Sequence, residues 1–263
     1  MHLEPPPAGS LTVVGAGIRA GLHVTQEARG RIEGADKVLY LLAEVAIAPT
    51  GWIHAMNPSA ESMASMYRPG RPYLDVYEDI VTTILTWVRR DLDVCAVTYG
   101  HPGVFDQSLY EAIRRARGEG YRTRILPGIS ALDCLFLDLE LDPGEDGCQL
   151  YDATGFLVHA RRPDVSVPLI LWQISVIGGS HTTGTVDRFS LAILRDRLEA
   201  LYGADHEVVV YEASPFPVGR PTIERCPVSG LAEAGVTGLS TLYVPPRDSA
   251  RSDPGMMARL GMT

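Results

Sequence analysis

Lysine is nearly absent from this chain of 263 residues, because Lys37 is its single lysine and arginine supplies almost all of the positive charge. The 23 basic residues are outnumbered by 32 acidic ones, which gives a formal net charge of −9, and no segment concentrates the basic side chains. A protein that binds a nucleic-acid backbone normally carries a basic patch or stripe. We therefore expect no nucleic-acid partner.

Cysteine and long apolar runs are also scarce. The four cysteines include no CxxC pair, so we predict neither a disulfide framework nor a metal site. The N-terminal sequence MHLEPPPAGS has no apolar signal-peptide core. The longest apolar stretch, near residues 167–177, contains Gln173 and is shorter than the roughly 20 residues of a membrane-spanning helix. These absences predict a cytoplasmic protein that does not enter a membrane.

Short apolar strands alternate with amphipathic helices in the first half of the chain. Strands are predicted at 11–14, 37–42, 93–99 and 122–126, and helices at 25–33, 77–90, 108–117 and 130–137. Strands joined by helices favour a parallel sheet with ligand sites at the carboxyl ends of the strands. The second half reads as a more mixed sheet, with strands at 169–174, 207–211, 222–226 and 240–244 and one helix near 191–201.

The fold class is therefore α/β, with two subdomains. The turn-forming sequence LDPGEDGC at 141–148 marks the expected junction. We predict an N-terminal subdomain over residues 1–140 that carries the substrate cleft. A C-terminal subdomain over 141–246 completes the cofactor site, and residues 247–263 form a loosely held tail.

A glycine-rich loop follows the first predicted strand. Gly15-Ala16-Gly17-Ile18-Arg19-Ala20 fits the relaxed dinucleotide pattern GxGxx(G/A). However, helical signals begin only near Thr25, whereas a bound pyrophosphate would need a helix N-terminus inside the glycine turn. No acidic residue closes the second strand to hold a ribose. On this motif alone, a nicotinamide or flavin site and a simple tight turn both remain open.

Three loops together carry a family resemblance: VGAGI at 14–18, YGHPGVF at 99–105 and LPGISA at 126–131. Their order and spacing resemble the tetrapyrrole methylases, whose loops read roughly GxGPGD, GDPxxF/Y and PGxSS. Here Ile18-Arg19-Ala20 replaces the PGD, and His101 replaces the aspartate of GDP. With LWQ at 171–173 and GLSTLYVPP at 238–246, the set is most similar to the borosin-type peptide backbone α-N-methyltransferases of that superfamily, over about residues 10–246.

The resemblance implies a tetrapyrrole-methylase-like fold with the cofactor cleft between the two subdomains. It implies S-adenosylmethionine as cofactor and S-adenosylhomocysteine as product. Glycines are expected to let the backbone approach the cofactor closely. Gln173 reads as a buried amide within a strand, which needs a cofactor atom or a backbone carbonyl as partner. By position, the cofactor-binding residues are Tyr99, His101, Val104, Phe105, Ala131, Gln173, Ala213, Ser240 and Thr241. Taken singly, Val104, Phe105 and Ala131 are equally compatible with ordinary core positions, and His101 with a locally bonded loop histidine.

The segment SMASMYRPGRPYLDVY at 62–77 resembles the catalytic helix and loop of the borosin enzymes. By position it implies catalytic roles for Tyr67 and Tyr77, with Tyr99 beside the sulfonium. The family's catalytic arginine aligns with Tyr73, and Arg71 lies two positions earlier. A peptide nitrogen is a poor nucleophile because its lone pair is delocalised. A nearby cation can favour a phenolate that serves as base. We therefore expect either that Arg71 supplies this cation through a shifted loop, with Arg68 also near, or that the activity is altered or lost. Simple packing is the alternative explanation for these tyrosines.

The leading hypothesis is a methyltransferase that N-methylates backbone amides of a separately encoded ribosomal peptide precursor. The peptide is expected in trans, since only residues 247–263 follow the Pro-Pro pair. One alternative is a methylase of a tetrapyrrole or another small molecule, and a second is a non-catalytic methylase-fold protein that binds peptide. The resemblance also implies a homodimer, for which the Met-rich segment 53–66 is the expected exposed contact surface.

Overall fold

The structure is a computed structural model that describes residues 8–19, 21–42, 51–182, 185–216 and 218–262. Ala20, the last residue of the predicted glycine motif, lies outside this set. The chain divides into two compact units. The first comprises Met1–Leu139, Gly179–Gly184 and Ala213–Pro221, and the second comprises Glu140–Gly178, Thr185–Glu212 and Thr222–Thr263. Two short segments from the second half of the sequence thus belong to the first unit.

The first unit is built on a five-stranded sheet in the order β3-β2-β4-β1-β5, in which every neighbouring pair is parallel. This confirms the predicted parallel sheet. Its strands are β1 (Ser10–Gly15), β2 (Lys37–Leu41), β3 (Glu61–Ser62), β4 (Asp93–Thr98) and β5 (Arg122–Leu126). Its helices are α1 (Gln26–Glu33), α2 (Trp52–Met56), α3 (Tyr73–Val88), α4 (Gln107–Gly118) and α5 (Ala131–Asp138), with a 3-10 turn at Ala64–Met66.

Both faces of this sheet are buried, because successive strand side chains point to opposite sides. Val13 of β1 and Ala96 of β4 pack with α3 and α4 in one apolar cluster. Their neighbours Val14 and Val97 pack with α1 and α2 in another. The helix boundaries follow local chemistry: the Thr25 side chain caps α1 by accepting the Ala28 N–H at 3.1 Å, as predicted.

The proposed dimer surface at 53–66 is not an exposed apolar segment. Ile53 and Met63 are both buried, at 0% and 1% exposure. Ile53 packs in the α1–α2 cluster and Met63 in the α3–α4 cluster. The expectation of exposure was wrong because the small and Met-rich composition serves core packing here. The dimer itself stays a prediction.

The second unit has a mixed sheet in the order β6-β7-β10-β8-β9. Only β6 and β7 pair in parallel, and the remaining pairs are antiparallel, which confirms the predicted mixed character. Its strands are β6 (Gln149–Asp152), β7 (Leu169–Trp172), β8 (Glu207–Glu212), β9 (Thr222–Pro227) and β10 (Thr241–Val244). Its helices are α6 (Pro143–Asp146), α7 (Ala153–Val158), α8 (Arg188–Tyr202) and α9 (Pro254–Arg259), with a 3-10 segment at Val228–Glu233.

One detail of the second unit differs from the sequence prediction. The strand predicted at 169–174 ends at Trp172, so Gln173 is exposed instead of buried within the strand, and its φ is +56°. The tail contains α9, which is capped by Asp253 and largely exposed, and its loose attachment stays a prediction. Among the described residues, no helix is both long and apolar enough to cross a membrane.

Candidate functional site

Three loops of the first unit meet where β1, β4 and β5 end. A Cβ atom added to Gly15 would lie 2.4 Å from the Gly100 carbonyl oxygen and 2.8 Å from the Gly128 Cα. A Cβ atom on Gly128 would lie 2.4 Å from the same oxygen. Gly17 and Gly100 also exchange backbone hydrogen bonds of 3.1 Å in both directions. The glycines were expected to admit a cofactor, but their nearest neighbours are one another.

The first loop is organised by His23, a residue that the sequence analysis missed. Its Nδ1 accepts the N–H groups of Ile18 and Arg19, each at 3.3 Å. Burial, assisted by the Arg19 charge, lowers the pKa of His23, which suits a neutral imidazole acceptor. His23 also lines a cavity of about 220 Å³ together with Arg19, Ile129, Asp133, Cys134, Leu137, Asp138, Ser214 and the predicted cofactor residue Ala213.

The second loop holds four predicted cofactor residues, Tyr99, His101, Val104 and Phe105. His101 Nδ1 accepts the Gly103 N–H at 2.8 Å, and the His101 carbonyl accepts the Val104 N–H at 3.0 Å. His101 therefore has a local partner, as one reading of the sequence allowed. Phe105 is 44% exposed with φ +57°. A non-glycine residue in this left-handed region is strained, and such residues cluster at functional sites.

The third loop starts a helix. Ser130 and Asp133 form a reciprocal capping box, in which Ser130 Oγ accepts the Asp133 N–H at 3.2 Å and Asp133 Oδ2 accepts the Ser130 N–H at 2.6 Å. The predicted cofactor residue Ala131 is the first residue of α5 and is half-buried. Its position follows directly from the PGIS sequence before it.

Gln173, Ser240 and Thr241 of the predicted cofactor set belong to the second unit. Ser240 Oγ donates to Glu212 Oε1 at 2.6 Å and accepts the Thr237 N–H at 2.8 Å. Thr241 is buried at the start of β10. The Ser240 hydroxyl thus already has protein partners, whereas the Gln173 side chain is exposed.

Three of the predicted catalytic tyrosines form a cluster in the first unit. Tyr73 begins α3, and its ring centroid lies 6.2 Å from that of Tyr77, one helical turn later. Tyr67 follows the 3-10 turn and interacts electrostatically with both. Burial is the largest cause that raises the pKa of each phenol, most strongly for Tyr67. At neutral pH these side chains are therefore protonated hydrogen-bond donors.

Arg71 does not produce the expected phenolate. Its guanidinium pairs with Asp79 at 2.8 Å and donates to the Met66 carbonyl at 3.3 Å. The pKa of Tyr77 is raised by burial, by Tyr73 and by Asp106, which is opposite to the predicted direction. The physical reason is that a carboxylate from the second turn of α3 neutralises the cation locally.

An open pocket of about 310 Å³, here called the strand-end pocket, lies beside this cluster. It is lined by Leu41, Leu42, Ala64, Tyr67, Thr98, Phe105 and Asp106. Tyr99 follows β4, donates its N–H to the Leu41 carbonyl at 2.9 Å, and packs against the α1–α2 cluster. The structure therefore brings Tyr67, Tyr73 and Tyr77 together and places Tyr99 with the opposite face of the sheet. Asp106, which the sequence analysis missed, is the carboxylate of this pocket.

A family model for tetrapyrrole (corrin/porphyrin) methylases matches residues 10–227. The chain belongs to this family. The assignment confirms the family that the three loops predicted, and it argues against a dinucleotide site at the first glycine loop. As a tetrapyrrole methylase, the chain has the fold of a uroporphyrin-III-C-methyltransferase from Thermus thermophilus, with a TM-score of 0.65 at 18% identity over 96% of both chains.

Curated relatives confirm the borosin resemblance within the tetrapyrrole methylases. One is a methyltransferase/ribosomally synthesized cyclic peptide gymnopeptides precursor from Gymnopus fusipes, 40% identical over 96% of this chain and 61% of its own length. Another, from Coprinopsis marcescibilis, is a methyltransferase/ribosomally synthesized type I borosin cyclic peptide precursor, 38% identical over 92% of this chain and 63% of its own length. The chain thus spans about three fifths of the length of these two relatives.

Tetrapyrrole methylases depend on S-adenosylmethionine, and the side chains present fit an organic cofactor of that kind. The first unit, taken by itself, offers the small Ala131 and Ala213 and the exposed aromatic Phe105. Small and apolar groups suit contact with a nucleoside and an amino-acid chain. Within the described ranges, no three His, Cys, Asp or Glu side chains are grouped to hold a metal ion.

Proposed function

We propose that this chain is an S-adenosylmethionine-dependent methyltransferase that N-methylates backbone amides of a ribosomal peptide. The observation that carries the proposal is the strand-end pocket, where the polar side chains of Tyr67, Thr98 and Asp106 line a space whose other walls are apolar. The similarity to methyltransferase/cyclic peptide precursors over nearly all of this chain supports a peptide as substrate. The S-adenosylmethionine sulfonium would supply the methyl group.

The pocket offers the two kinds of help that a peptide nitrogen needs. The lone pair of the nitrogen is delocalised into its carbonyl, so methylation requires loss of the N–H proton and stabilisation of charge that develops on the oxygen. The protonated phenols of Tyr67, Tyr73 and Tyr77 are donors suited to that oxygen. Leu41 and Leu42 are apolar walls that favour an apolar residue beside the reacting amide.

The cofactor would be held by residues at the strand ends. We assign to it Tyr99, His101, Val104, Phe105, Ala131 and Ala213 of the first unit, and Gln173, Ser240 and Thr241 of the second. The left-handed backbone at both Phe105 and Gln173 supports this assignment, because strained residues cluster at ligand sites.

The experiment that tests the function mixes the purified chain, S-adenosylmethionine and separate apolar peptides, and reads each product by tandem mass spectrometry. We expect a mass increase of one methylene per event, located on backbone nitrogen. Methylation only of a tetrapyrrole acceptor would favour the small-molecule alternative. Peptide binding without methylation would favour the non-catalytic alternative.

The same assay tests the supply of peptide in trans, since the peptide is a separate molecule. Light scattering at micromolar concentration tests the proposed homodimer. A monomer that methylates the peptide would remove the dimer from the proposal and leave the activity in place.

A further inference from the structure

Asp106 follows the second glycine loop and caps α4. Its Oδ1 accepts the Leu109 N–H at 3.3 Å and the Ser108 hydroxyl at 3.2 Å. The Thr98 side chain at the end of β4 donates a further hydrogen bond to the carboxylate. Asp106 is therefore fixed in place from two elements while it lines the strand-end pocket.

A second aspartate in the chain, Asp187, performs the same capping role at an exposed position. Asp187 caps α8, accepting the Phe189 N–H at 3.0 Å and the Ser190 hydroxyl at 2.6 Å. Hydrogen bonds hold the pKa of Asp187 below its usual range. Asp106 receives the same kinds of hydrogen bond, yet burial raises its pKa. The pocket environment, and not the cap, makes the difference.

The groups that face the Asp106 carboxylate are phenols and hydroxyls. Tyr67, which follows the 3-10 turn, and Tyr77 of α3 both interact electrostatically with it, and its charge contributes to raising the pKa of each phenol. Thr98 faces it from β4. The carboxylate is thus flanked by donors that remain protonated, so it is the group of this cluster that is available to accept a proton.

We propose that Asp106 is a catalytic residue that accepts the proton of the substrate amide, with the phenols of Tyr67 and Tyr77 donating to the amide oxygen. This inference rests on the proposed function. When the nitrogen forms its bond to the methyl carbon, the carbon–sulfur bond would break with its electron pair kept by sulfur, so that the neutral thioether S-adenosylhomocysteine would leave. The N–H proton would move to the Asp106 carboxylate. The N–H bonding pair stays on nitrogen, and the proton leaves to solvent with the product. A base works best when its pKa approaches the operating pH, which agrees with the raised value at this position.

The first test replaces Asp106 by asparagine, which caps helices about as well as aspartate. We expect Asp106→Asn to lower the methylation rate by about a hundredfold or more, with unchanged affinity for S-adenosylhomocysteine in calorimetry. The acid limb of the pH–rate profile should disappear. Asp187→Asn makes the same chemical change at the matched cap and should keep the wild-type rate and profile.

The second readout needs neither cofactor nor turnover. A raised folded pKa means that ionised Asp106 disfavours folding above the ordinary carboxyl pKa, whereas a lowered pKa means that ionised Asp187 favours it. At pH 7, Asp106→Asn should therefore raise the unfolding midpoint and Asp187→Asn should lower it. Absorbance titration should also show phenols that ionise at lower pH in Asp106→Asn, because a neighbouring negative charge is lost.

The outcomes distinguish a failure of the proposed function from a failure of the role of Asp106 alone. A wild-type chain that methylates no peptide overturns the proposed function and the proton transfer with it. An active wild type with an equally active Asp106→Asn and an unchanged pH profile overturns the role of Asp106 alone. Destabilisation of Asp106→Asn to the extent seen for Asp187→Asn would identify Asp106 as a cap only. Asp106→Ser, a second capping residue, repeats the test if the asparagine variant does not fold.

Discussion

The glycine contact and the tyrosine cluster lie in the same unit but depend on different physical quantities. At the glycine contact, Gly15, Gly100 and Gly128 bring three backbones within a distance that admits no side chain. In the tyrosine cluster, the rings of Tyr73 and Tyr77 are 6.2 Å apart, so residue types can change there while the backbone stays in place. The glycine contact is therefore recognisable in the sequence as short motifs. The chemistry of the tyrosine cluster depends instead on how charges are distributed around it.

The glycine contact should give the largest loss of stability. Gly128→Ala places a methyl group 2.4 Å from the Gly100 carbonyl oxygen and 2.8 Å from the Gly15 Cα, and both neighbours are backbone. We expect a loss of about 3 kcal/mol or more in the free energy of unfolding, at or above the usual range for overpacking. Urea denaturation measures it. Gly30→Ala is the control, since nothing lies within 4 Å of that position in α1, and it should stabilise by roughly 0.5–1 kcal/mol. Equal changes in the free energy of unfolding for Gly128→Ala and Gly30→Ala would contradict the close backbone approach at the glycine contact.

The tyrosine cluster should respond in rate more than in stability. Tyr77→Phe removes a donor placed for the substrate oxygen and should lower the methylation rate by around a hundredfold. Tyr202→Phe is a matched control in the second unit, because burial raises the pKa of Tyr202 to about 12. The Tyr202 hydroxyl has no hydrogen-bond partner among the described residues. Its removal should leave the rate unchanged, and a similar loss in both variants would argue against a specific role for Tyr77.

Arg71 should matter less than its alignment suggests. Because its guanidinium pairs with Asp79, and both side chains are partly exposed, Arg71→Ala should cost about 1 kcal/mol of stability or less. It should also change the methylation rate less than tenfold. The sequence alone predicts a hundredfold loss. Steady-state kinetics of Arg71→Ala and Tyr73→Arg decide between the two expectations. A large loss of rate in Arg71→Ala, together with a gain of rate in Tyr73→Arg, would support activation of a phenolate by a cation.

Alkaline pH should destabilise the chain through its phenols. An unfolded tyrosine ionises near a pKa of about 10, while burial raises the pKa of Tyr67, Tyr73 and Tyr77 in the folded state. Their contribution is complete below about pH 10 and is lost as the pH rises toward the folded pKa. Lysine side chains ionise in the same pH range, and because the chain has a single lysine, the pH dependence there is dominated by tyrosine. The free energy of unfolding should fall less steeply with pH in Tyr67→Phe than in wild type; identical slopes would contradict the raised pKa.

The sequence predicted those parts of the fold where local patterns decide the outcome. The Thr25 cap, the apolar face of α3 and the strand ends with GHPG and PGIS are short-range features. The partner of Arg71 was not predictable, because Asp79 competes with the tyrosines only once α3 has formed. Asp106 was missed for a similar reason. In a sequence, an aspartate before a helix indicates an N-cap. That Asp106 also lines a pocket, where burial raises its pKa, follows only from the folded structure.

The smallest effect on stability is expected at Gln173. Its left-handed backbone at φ +56° costs a non-glycine residue about 1–2 kcal/mol, while glycine loses roughly 0.4–1 kcal/mol through the entropy of the unfolded chain. Gln173→Gly should therefore be neutral or stabilise by up to about 1.5 kcal/mol. Asp91→Gly is the control, because Asp91 has φ +60° in an exposed turn after α3. The gain in stability for Asp91→Gly should be no larger, because aspartate adopts this backbone more readily than glutamine. Only Gln173→Gly should weaken S-adenosylhomocysteine binding in calorimetry, since an amide that could bond the nucleoside is lost. Equal affinity in both would mean that the strain at Gln173 belongs to the turn alone, and Gln173 would leave the proposed cofactor set.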